Sequence, residues 1–258
     1  MNSRYAVPSM TPLPALLALL ATAAQPADFV RDEETELLDF HYAWPAVADA
    51  VPRLRARLLQ DMDSARVEAL KNAEQDRVAT RDLGFAYSPR IHEQNWVAAG
   101  NSPQLLSLSA TVYSFTGGAH PNTDFTATLW DRESDEAVAA ATLLGPGILA
   151  GLTPRFCDAL NGRRAEIREE DIVTDGGDDP FTACPTLAEQ VLVPADTDGN
   201  GRFDTLRVLI APYIAGPYVD GAYIIEVRFD PADVTGISDH YRPAFEAAAK
   251  TALPAGSN

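Results

Sequence analysis

Apolar residues recur at helical spacing between Ala46 and about Thr80. Most of them lie three or four residues apart, and charged residues fill many of the intervening positions. The apolar positions are Val47, Val51, Leu54, Leu58, Met62, Val67 and Leu70. This spacing places one apolar stripe along a helix, so it predicts a long N-terminal helix. Its regular part is expected to begin at Pro52, because proline fits the first turn, and the polar interruption at Asp61-Met62-Asp63 predicts a break.

Two stretches alternate between apolar and polar residues and predict strands, at residues 106–113 and 124–129. The sequence FTGGAHPN, residues 115–122, lies between them and therefore predicts the connection of an antiparallel hairpin. Its two glycines allow positive φ angles, which suits a loop longer than a two-residue turn. Further strands are predicted at residues 36–44, 206–210 and 223–227.

Residues 146–168 predict a second helix, and residues 245–252 a short last one. Residues 169–180 are acidic and glycine-rich, which predicts a polar, turn-rich segment. Helices and strands are mixed without a regular β-α alternation. The pattern therefore predicts an α+β fold with an antiparallel sheet, a long N-terminal helix and further packed helices.

The first residues are typical of an export signal. Arg4 precedes a short apolar run at residues 13–20, and small residues follow at 21–24. The run is shorter than the ~20 residues that cross a bilayer. A signal peptide over residues 1–24 is expected, followed by a periplasmic or secreted protein without a membrane anchor. A buried first helix is the alternative, and a start at Met10 would leave the leader nearly uncharged.

The chain carries a net charge of −17, which excludes most nucleic-acid partners because an acidic surface repels phosphate backbones. Such a surface instead attracts cationic partners and divalent metals, although acidity also serves solubility alone. In an oxidising compartment the even pair Cys157 and Cys184 predicts one disulfide, with two buried free thiols as the alternative.

The stretch DTDGNGRFD, residues 196–204, has the ligand spacing of a calcium loop. Oxygen-bearing side chains stand at its first, third, fifth and ninth positions, and a glycine stands at the sixth. The candidate ligands are Asp196, Asp198, Asn200, the carbonyl of Arg202, and Asp204. The twelfth position holds Arg207 where a calcium loop has a glutamate, and an Asp/Asn/Gly turn between strands would use the same residues.

His120, in the predicted hairpin loop, is the sharpest catalytic candidate. A triad needs a nucleophile and a carboxylate beside it, and Ser114 and Asp124 are near in sequence but lie outside any recognised nucleophile motif. The other histidines are scattered and do not form a zinc-binding pattern. A histidine that shapes its own loop and one that contributes to recognition remain the alternatives to catalysis.

These residues resemble a known family. The stretch YSFTGGAHPNT, residues 113–123, resembles the Tyr-x-x-x-Gly-Gly-Ala-His signature of the RsiV-like family of exported domains. The stretch LRVLIAPYIAGPYVDGAYIIEV, residues 206–227, is similar to the closing pattern of that family. The helix and strand before the hairpin resemble the module that precedes it in the anti-sigma factor RsiV and in PdaC-type peptidoglycan deacetylases.

The resemblance implies a division of the chain into 1–24 (signal peptide), 33–118 (PdaC/RsiV-type module), 119–235 (RsiV-like module) and 236–258 (last helix and tail). It also implies a binding or accessory role in the cell envelope, without a catalytic domain, in recognising cell-wall glycan or a cationic, lysozyme-like protein. The implied ligand contacts are Tyr113, Gly117, Gly118, His120, Tyr213 and Tyr218. An envelope hydrolase using His120 and a calcium-stabilised structural protein are the alternatives.

Overall fold

The computed structural model describes residues 28–169, 172 and 181–248. The larger of its two sheets contains β1 (Phe29–Glu34), β2 (Leu38–Trp44), β3 (Arg90–Asn101), β4 (Leu105–Phe115), β5 (Asn122–Asp131) and β6 (Glu136–Val138), side by side in chain order. Neighbouring strands are antiparallel except β2 and β3, which run parallel. The predicted hairpin is confirmed as β4 and β5, and the predicted first strand as β2.

The parallel pair follows from the long helix between its strands. After the short helix α1 (Ala46–Asp49), helix α2 (Pro52–Asp82) carries the chain back across the sheet, as a parallel connection requires. The buried side chains of Leu54, Leu58 and Met62 pack against β2, β3 and β4. Each such burial contributes about 1.5–3 kcal/mol. The predicted start at Pro52 is confirmed.

The predicted break at Asp61-Met62-Asp63 is wrong. Helix α2 is continuous through these residues, because Met62 continues the apolar stripe into the core while Asp61 and Asp63 lie on the exposed side. The edge strand β1, which the sequence pattern missed, is tied to this helix by Arg66. Its Nε and Nη2 each donate to the Glu33 carboxylate at 2.6 Å, and this pairing lowers the pKa of Glu33 to about 2.

The smaller sheet contains β7 (Val191–Ala195), β8 (Thr205–Ile210) and β9 (Tyr223–Arg228), all antiparallel. Helix α3 (Ala140–Arg168) packs on one face of this sheet through Phe156, Leu152 and Leu160. It is kinked at Gly145, where φ is 73°, so its long segment begins at Pro146 as predicted. The other face packs against the larger sheet, with Val193 and Leu209 beside Ala99. The α+β class is thereby confirmed.

The end of the described chain is extended where a helix was predicted. After helix α4 (Pro231–Gly236), Phe245 forms a bridge with Phe203, and the amide of Ala248 donates to the carbonyl of Phe229 at 3.0 Å. The prediction of a helix is therefore wrong for residues 245–248, because their backbone groups pair with neighbouring segments. Residues 249–258, the signal peptide at 1–24 and most of the predicted polar segment at 169–180 lie outside the described residues.

Cys157 on α3 forms a disulfide with Cys184, which confirms the predicted pairing. Among the described residues, no helix has the length and apolar character needed to cross a membrane. The predicted boundary between residues 118 and 119 falls in the β4–β5 loop, and the strands on its two sides belong to one sheet.

Candidate functional site

Three of the predicted ligand contacts meet at one end of the molecule. The β4–β5 loop brings His120 against the connection between β8 and β9, where the ring of Tyr218 stacks on the imidazole with centroids 3.8 Å apart. The ring of Tyr213 lies beside both, with centroids 6.1 Å from His120 and 5.6 Å from Tyr218. Residues 93 positions apart in sequence thus form one cluster.

Hydrogen bonds fix the orientation of these rings. The carbonyl of Pro121 accepts from the Tyr218 hydroxyl at 2.9 Å and from Nδ1 of His120, also at 2.9 Å. Because a carbonyl only accepts, Nδ1 carries the proton in the neutral ring. That tautomer leaves Nε2 to accept from the Tyr213 hydroxyl at 3.2 Å. The histidine therefore joins the two loops through both of its nitrogens.

The cluster is exposed, and so are the apolar residues that directly follow its two tyrosines in sequence. Tyr213, Ile214 and Val219 are 52%, 46% and 87% exposed, and His120 is also exposed. We call His120, Tyr213, Ile214, Tyr218 and Val219 the aromatic surface. Groups of exposed apolar side chains are typical of interaction sites. Tyr213 also has φ of 70°, a strained conformation for a tyrosine that is found mainly where a site requires it.

The other predicted contacts have different roles. Tyr113 faces Glu93 and Thr123 across the larger sheet and makes no ring contact with the aromatic surface among the described residues. Gly118 is in open space. Gly117 has φ of 79° and lies directly against the guanidinium of Arg90, where a side chain would collide.

Replacing Gly117 with alanine is expected to destabilise the protein by about 1–2 kcal/mol, because the residue must adopt a left-handed conformation beside Arg90. Gly118→Ala is the matched control, since its added Cβ meets no atom within 4 Å and its φ is not positive. Urea unfolding of both variants measures the difference. Equal stabilities would show that the loop tolerates a side chain at either position.

His120 has no catalytic partners in the part of the chain that the structure describes. Neither a carboxylate nor a serine or cysteine side chain hydrogen-bonds to it there. Asp124, one of the two candidates near in sequence, instead accepts from the amide of Phe125 at 2.8 Å. The arrangement suits orientation of the rings, and it does not assemble the base and nucleophile of a triad.

The predicted calcium loop connects β7 and β8, and its acidic side chains accept from the loop itself. Asp196 accepts from the amides of Gly199 and Gly201, each at 2.8 Å. Asp204 accepts from the amide of Thr197 at 3.0 Å and from its hydroxyl at 2.6 Å.

Asn200 and Asp198 are also engaged within the loop. The side-chain amide of Asn200 donates to Asp198 at 3.0 Å, and its Oδ1 accepts from the amide of Arg202 at 2.9 Å. The guanidinium of Arg202 donates outside the loop, to the Phe245 carbonyl at 2.6 Å. At the twelfth position, Arg207 pairs with Glu226 on β9. Within the described ranges, no three His, Cys, Asp or Glu side chains are grouped to hold a metal ion.

Calcium at this loop stays a prediction. Its expected result is a melting temperature several degrees higher in about 1 mM calcium than in a chelator, because a ligand that binds only the folded state stabilises it. An Asp196→Asn variant should lose that difference. A melting temperature that is the same in calcium and chelator would exclude a stabilising site.

A cavity of about 440 Å³ lies on the larger sheet and is strongly acidic. Its lining includes Asp32, Glu34, Asp39 and Glu93, and we call it the acidic groove. His41 lies in it, with Nδ1 2.6 Å from Asp32 and Nε2 2.8 Å from Oδ1 of Asn95. Sequence reasoning missed this group because its members lie on three strands whose register is not readable from the chain.

The acidic groove predicts a pH dependence of stability. The hydrogen bond with Asp32 raises the pKa of His41, and the hydrogen bond with Asn95 and the charge of Glu93 act in the same direction. The stabilisation is therefore fully present below the ordinary histidine pKa and is lost as the pH rises through the raised value. His41→Gln is expected to lower the melting temperature more at about pH 5.5 than at about pH 8.5. In an Asp32→Asn background, His41→Gln should show a smaller difference between the two pH values, because the largest cause of the raised pKa is gone. Equal losses at both pH values in the otherwise wild-type protein would contradict this prediction.

Comparisons with known proteins agree with this architecture. The sequence model of the family described as "Deacetylase PdaC" matches residues 31–123, from β1 to the first residues of β5. Residues 31–123 are thus similar to a PdaC-type region. No curated protein matches the chain.

Two crystal structures align with most of this chain. One is a member of the DUF3298 family from Bacteroides fragilis NCTC 9343, with 14% identity and a TM-score of 0.51, over 84% of this chain and 95% of that one. The other is a DUF3298 family protein from Pseudomonas aeruginosa PAO1, with 13% identity and a TM-score of 0.47, over 82% and 91%. At such identities the first similarity shows the fold alone.

The PdaC-type region and the disulfide are consistent with an extracellular location. The RsiV-like part of the resemblance is not confirmed by these matches and stays a prediction.

Proposed function

We propose that the protein is exported and acts in the cell envelope as a binding module that recognises cell-wall glycan through its aromatic surface. The observation that carries this proposal is the stack of His120 on Tyr218 with the exposed ring of Tyr213 beside it. These side chains are positioned by hydrogen bonds before any ligand arrives, so binding would not have to order them.

The chemistry of the surface suits a sugar chain. The face of an aromatic ring carries partial negative charge, which attracts the C–H bonds on the apolar face of a sugar ring. The hydroxyls of Tyr213 and Tyr218 donate to Nε2 of His120 and to the Pro121 carbonyl, and their oxygens can still accept hydrogen bonds from sugar hydroxyls. Ile214 and Val219 extend the apolar area at its border.

The cell-wall ligand class rests on the resemblance to PdaC-type peptidoglycan deacetylases, and the match to the family described as "Deacetylase PdaC" is in line with that resemblance. Its region ends at residue 123 and includes the loop that carries His120. Because His120 is oriented by a carbonyl and a tyrosine, we assign it a role in binding. An envelope hydrolase that uses His120 as acid or base is the competing proposal.

The acidic groove favours a second candidate partner, a cationic protein of the lysozyme type. Four acidic residues, Asp32, Glu34, Asp39 and Glu93, line this groove, and the net charge of −17 would accelerate association with a basic partner. This partner would bind at the acidic groove, which makes the two candidates separable by mutation.

Sedimentation with purified, insoluble peptidoglycan tests the proposal. The mature protein should sediment with it, and Tyr218→Ala should weaken binding at least about tenfold, as expected for a central aromatic contact. Phe85→Ala is the matched control, because this exposed aromatic residue lies outside the aromatic surface.

Three outcomes would contradict the proposal. Binding that is unchanged in Tyr218→Ala would show that peptidoglycan does not bind at the aromatic surface. Binding to a basic lysozyme, weakened in Glu93→Gln and unchanged in Tyr218→Ala, would favour the second candidate. Release of acetate or of sugar fragments from peptidoglycan, lost in His120→Ala, would favour the enzyme.

A further inference from the structure

The connection that carries Tyr213 and Tyr218 is held from beneath by a buried arginine of α3. Arg164 is fully buried, and its Nε donates to the carbonyl of Ala215 at 2.9 Å. Ala215 is itself buried and lies between the two tyrosines in sequence. A buried guanidinium must keep its hydrogen bonds, because an unpaired buried charge is costly. Its rigid fork therefore fixes where this carbonyl, and the backbone around it, can lie.

The same guanidinium also binds the segment that the disulfide secures. Nη1 of Arg164 donates to the carbonyl of Thr182 at 3.0 Å, and Nη2 donates to the carbonyl of Ala183 at 2.9 Å. These acceptors immediately precede Cys184, which is bonded to Cys157, about two helical turns before the arginine on the same face of α3. The disulfide thus holds in place two of the carbonyls that orient Arg164.

A second arginine holds the far end of the connection. Nε of Arg168 donates to Asp220 at 2.8 Å, and the hydroxyl of Tyr223 donates to the same carboxylate oxygen at 2.6 Å. The backbone passes so close to this group that a Cβ on Gly216 would lie 2.5 Å from both Asp220 Oδ2 and the Tyr223 hydroxyl. Glycine at this position lets the connection rest directly on the ion pair.

Each anchor lies just after one of the two ligand-facing tyrosines. Ala215 follows Tyr213 by two positions, and Asp220 follows Tyr218 by two. The strained φ of Tyr213 persists only where its surroundings enforce it, and Arg164 binds the backbone close by. Neither arginine belongs to the aromatic surface, so both act on it through the backbone.

We propose that Arg164 and Arg168 are positioning residues of the aromatic surface, and that the Cys157–Cys184 disulfide sets their geometry, so that ligand affinity depends on the oxidised state of the protein. The inference rests on the proposed function for its ligand and on the geometry for its mechanism. Weakening these anchors shifts Tyr218 away from His120 and lowers affinity without removing any group that touches the ligand.

NMR chemical shifts of His120 report on its stacking with Tyr218 and can be measured without a ligand. Protons of His120 lie over the Tyr218 ring, so their NMR signals should be displaced upfield in the oxidised wild-type protein. Arg164→Gln and Arg168→Gln are expected to abolish much of this upfield displacement, so that the His120 signals move downfield. Reduction of the disulfide should also move them downfield. Arg207→Gln is the control, because that arginine pairs with Glu226 on the sheet surface. Unchanged His120 signals in both variants and after reduction would overturn the proposal.

A milder variant covers the case in which Arg164→Gln does not fold. Tyr223→Phe removes only the hydroxyl that donates to Asp220, and it should increase hydrogen exchange in residues 211–222 while leaving residues 105–115 of β4 unchanged. An equal increase in both segments, or no increase in 211–222, would count against positioning.

Affinity for insoluble peptidoglycan completes the experiment. Arg168→Gln is expected to bind about tenfold more weakly than the wild type, since it loses preorganisation but no contact. If the wild type does not sediment with peptidoglycan, the proposed function fails, while the NMR signals still decide the positioning role. If the His120 signals move but the affinity for peptidoglycan stays the same, the proposal that binding depends on the oxidised state is wrong.

Discussion

Replacing Asp220 with alanine is expected to lower the free energy of unfolding by about 3–5 kcal/mol, the usual effect of removing one partner of a buried ion pair. Its side chain is 4% exposed, and that of Arg168 is 14% exposed. The substitution leaves the Arg168 charge without its carboxylate and the Tyr223 hydroxyl without its acceptor. Most of this loss in the free energy of unfolding arises because these buried groups are left without a partner, and less of it from the lost attraction within the pair.

Urea unfolding measures this loss, and an exposed ion pair provides the control. Glu226→Ala removes the partner of Arg207 on the surface, where such pairs contribute about 0–1 kcal/mol. The Asp220 variant should therefore be destabilised several times more than the Glu226 variant. Similar losses in the two variants would mean that the Arg168–Asp220 pair is solvated in solution, which would contradict its burial.

Removing the disulfide by the double substitution Cys157→Ser and Cys184→Ser is expected to destabilise the protein by about 3–4 kcal/mol. The two cysteines are 27 residues apart in sequence, and the estimate is the loop-closure entropy that the cross-link removes from the unfolded chain. Reduction of the wild type should give a similar loss, because it opens the same loop. Both are compared by urea unfolding at one pH.

Comparing the double variant with the reduced wild type shows whether loop closure is the cause of the lost stability. If serine hydroxyls packed poorly at this site, the double variant would be less stable than the reduced wild type. A wild type whose stability is the same with and without reductant would show that the loop is already constrained by other contacts, among them the hydrogen bonds of Arg164.

The elements with a regular apolar period were readable from the sequence. Helix α2 and the β4–β5 hairpin have one face in the core, and their spacing of apolar residues reflects it. Strand β3 was missed because it buries the polar Gln94 beside Trp96, so no simple alternation marks it. Strand β7 was missed because Pro194 lies within it, and a proline argues against a strand.

The candidate site was only partly readable. Family resemblance selected His120, Tyr213 and Tyr218, and the fold brings their rings together. It also selected Tyr113, whose place on β4 keeps it outside that cluster. The anchoring role of Arg164 left no trace in the sequence, because an arginine on an amphipathic helix is ordinarily solvent-exposed. Its acceptors lie in two segments distant in sequence, at Ala215 in the β8–β9 connection and at Ala183, which only the tertiary fold brings together.

An NMR titration with soluble peptidoglycan glycan fragments would show whether a cell-wall glycan binds at the aromatic surface. We expect the signals of His120, Tyr213 and Tyr218 to change saturably with ligand concentration, and those of His41 and Asn95 in the acidic groove to stay constant. Changes confined to the acidic groove, or no saturable change at any concentration that peptidoglycan fragments reach in solution, would contradict this expectation.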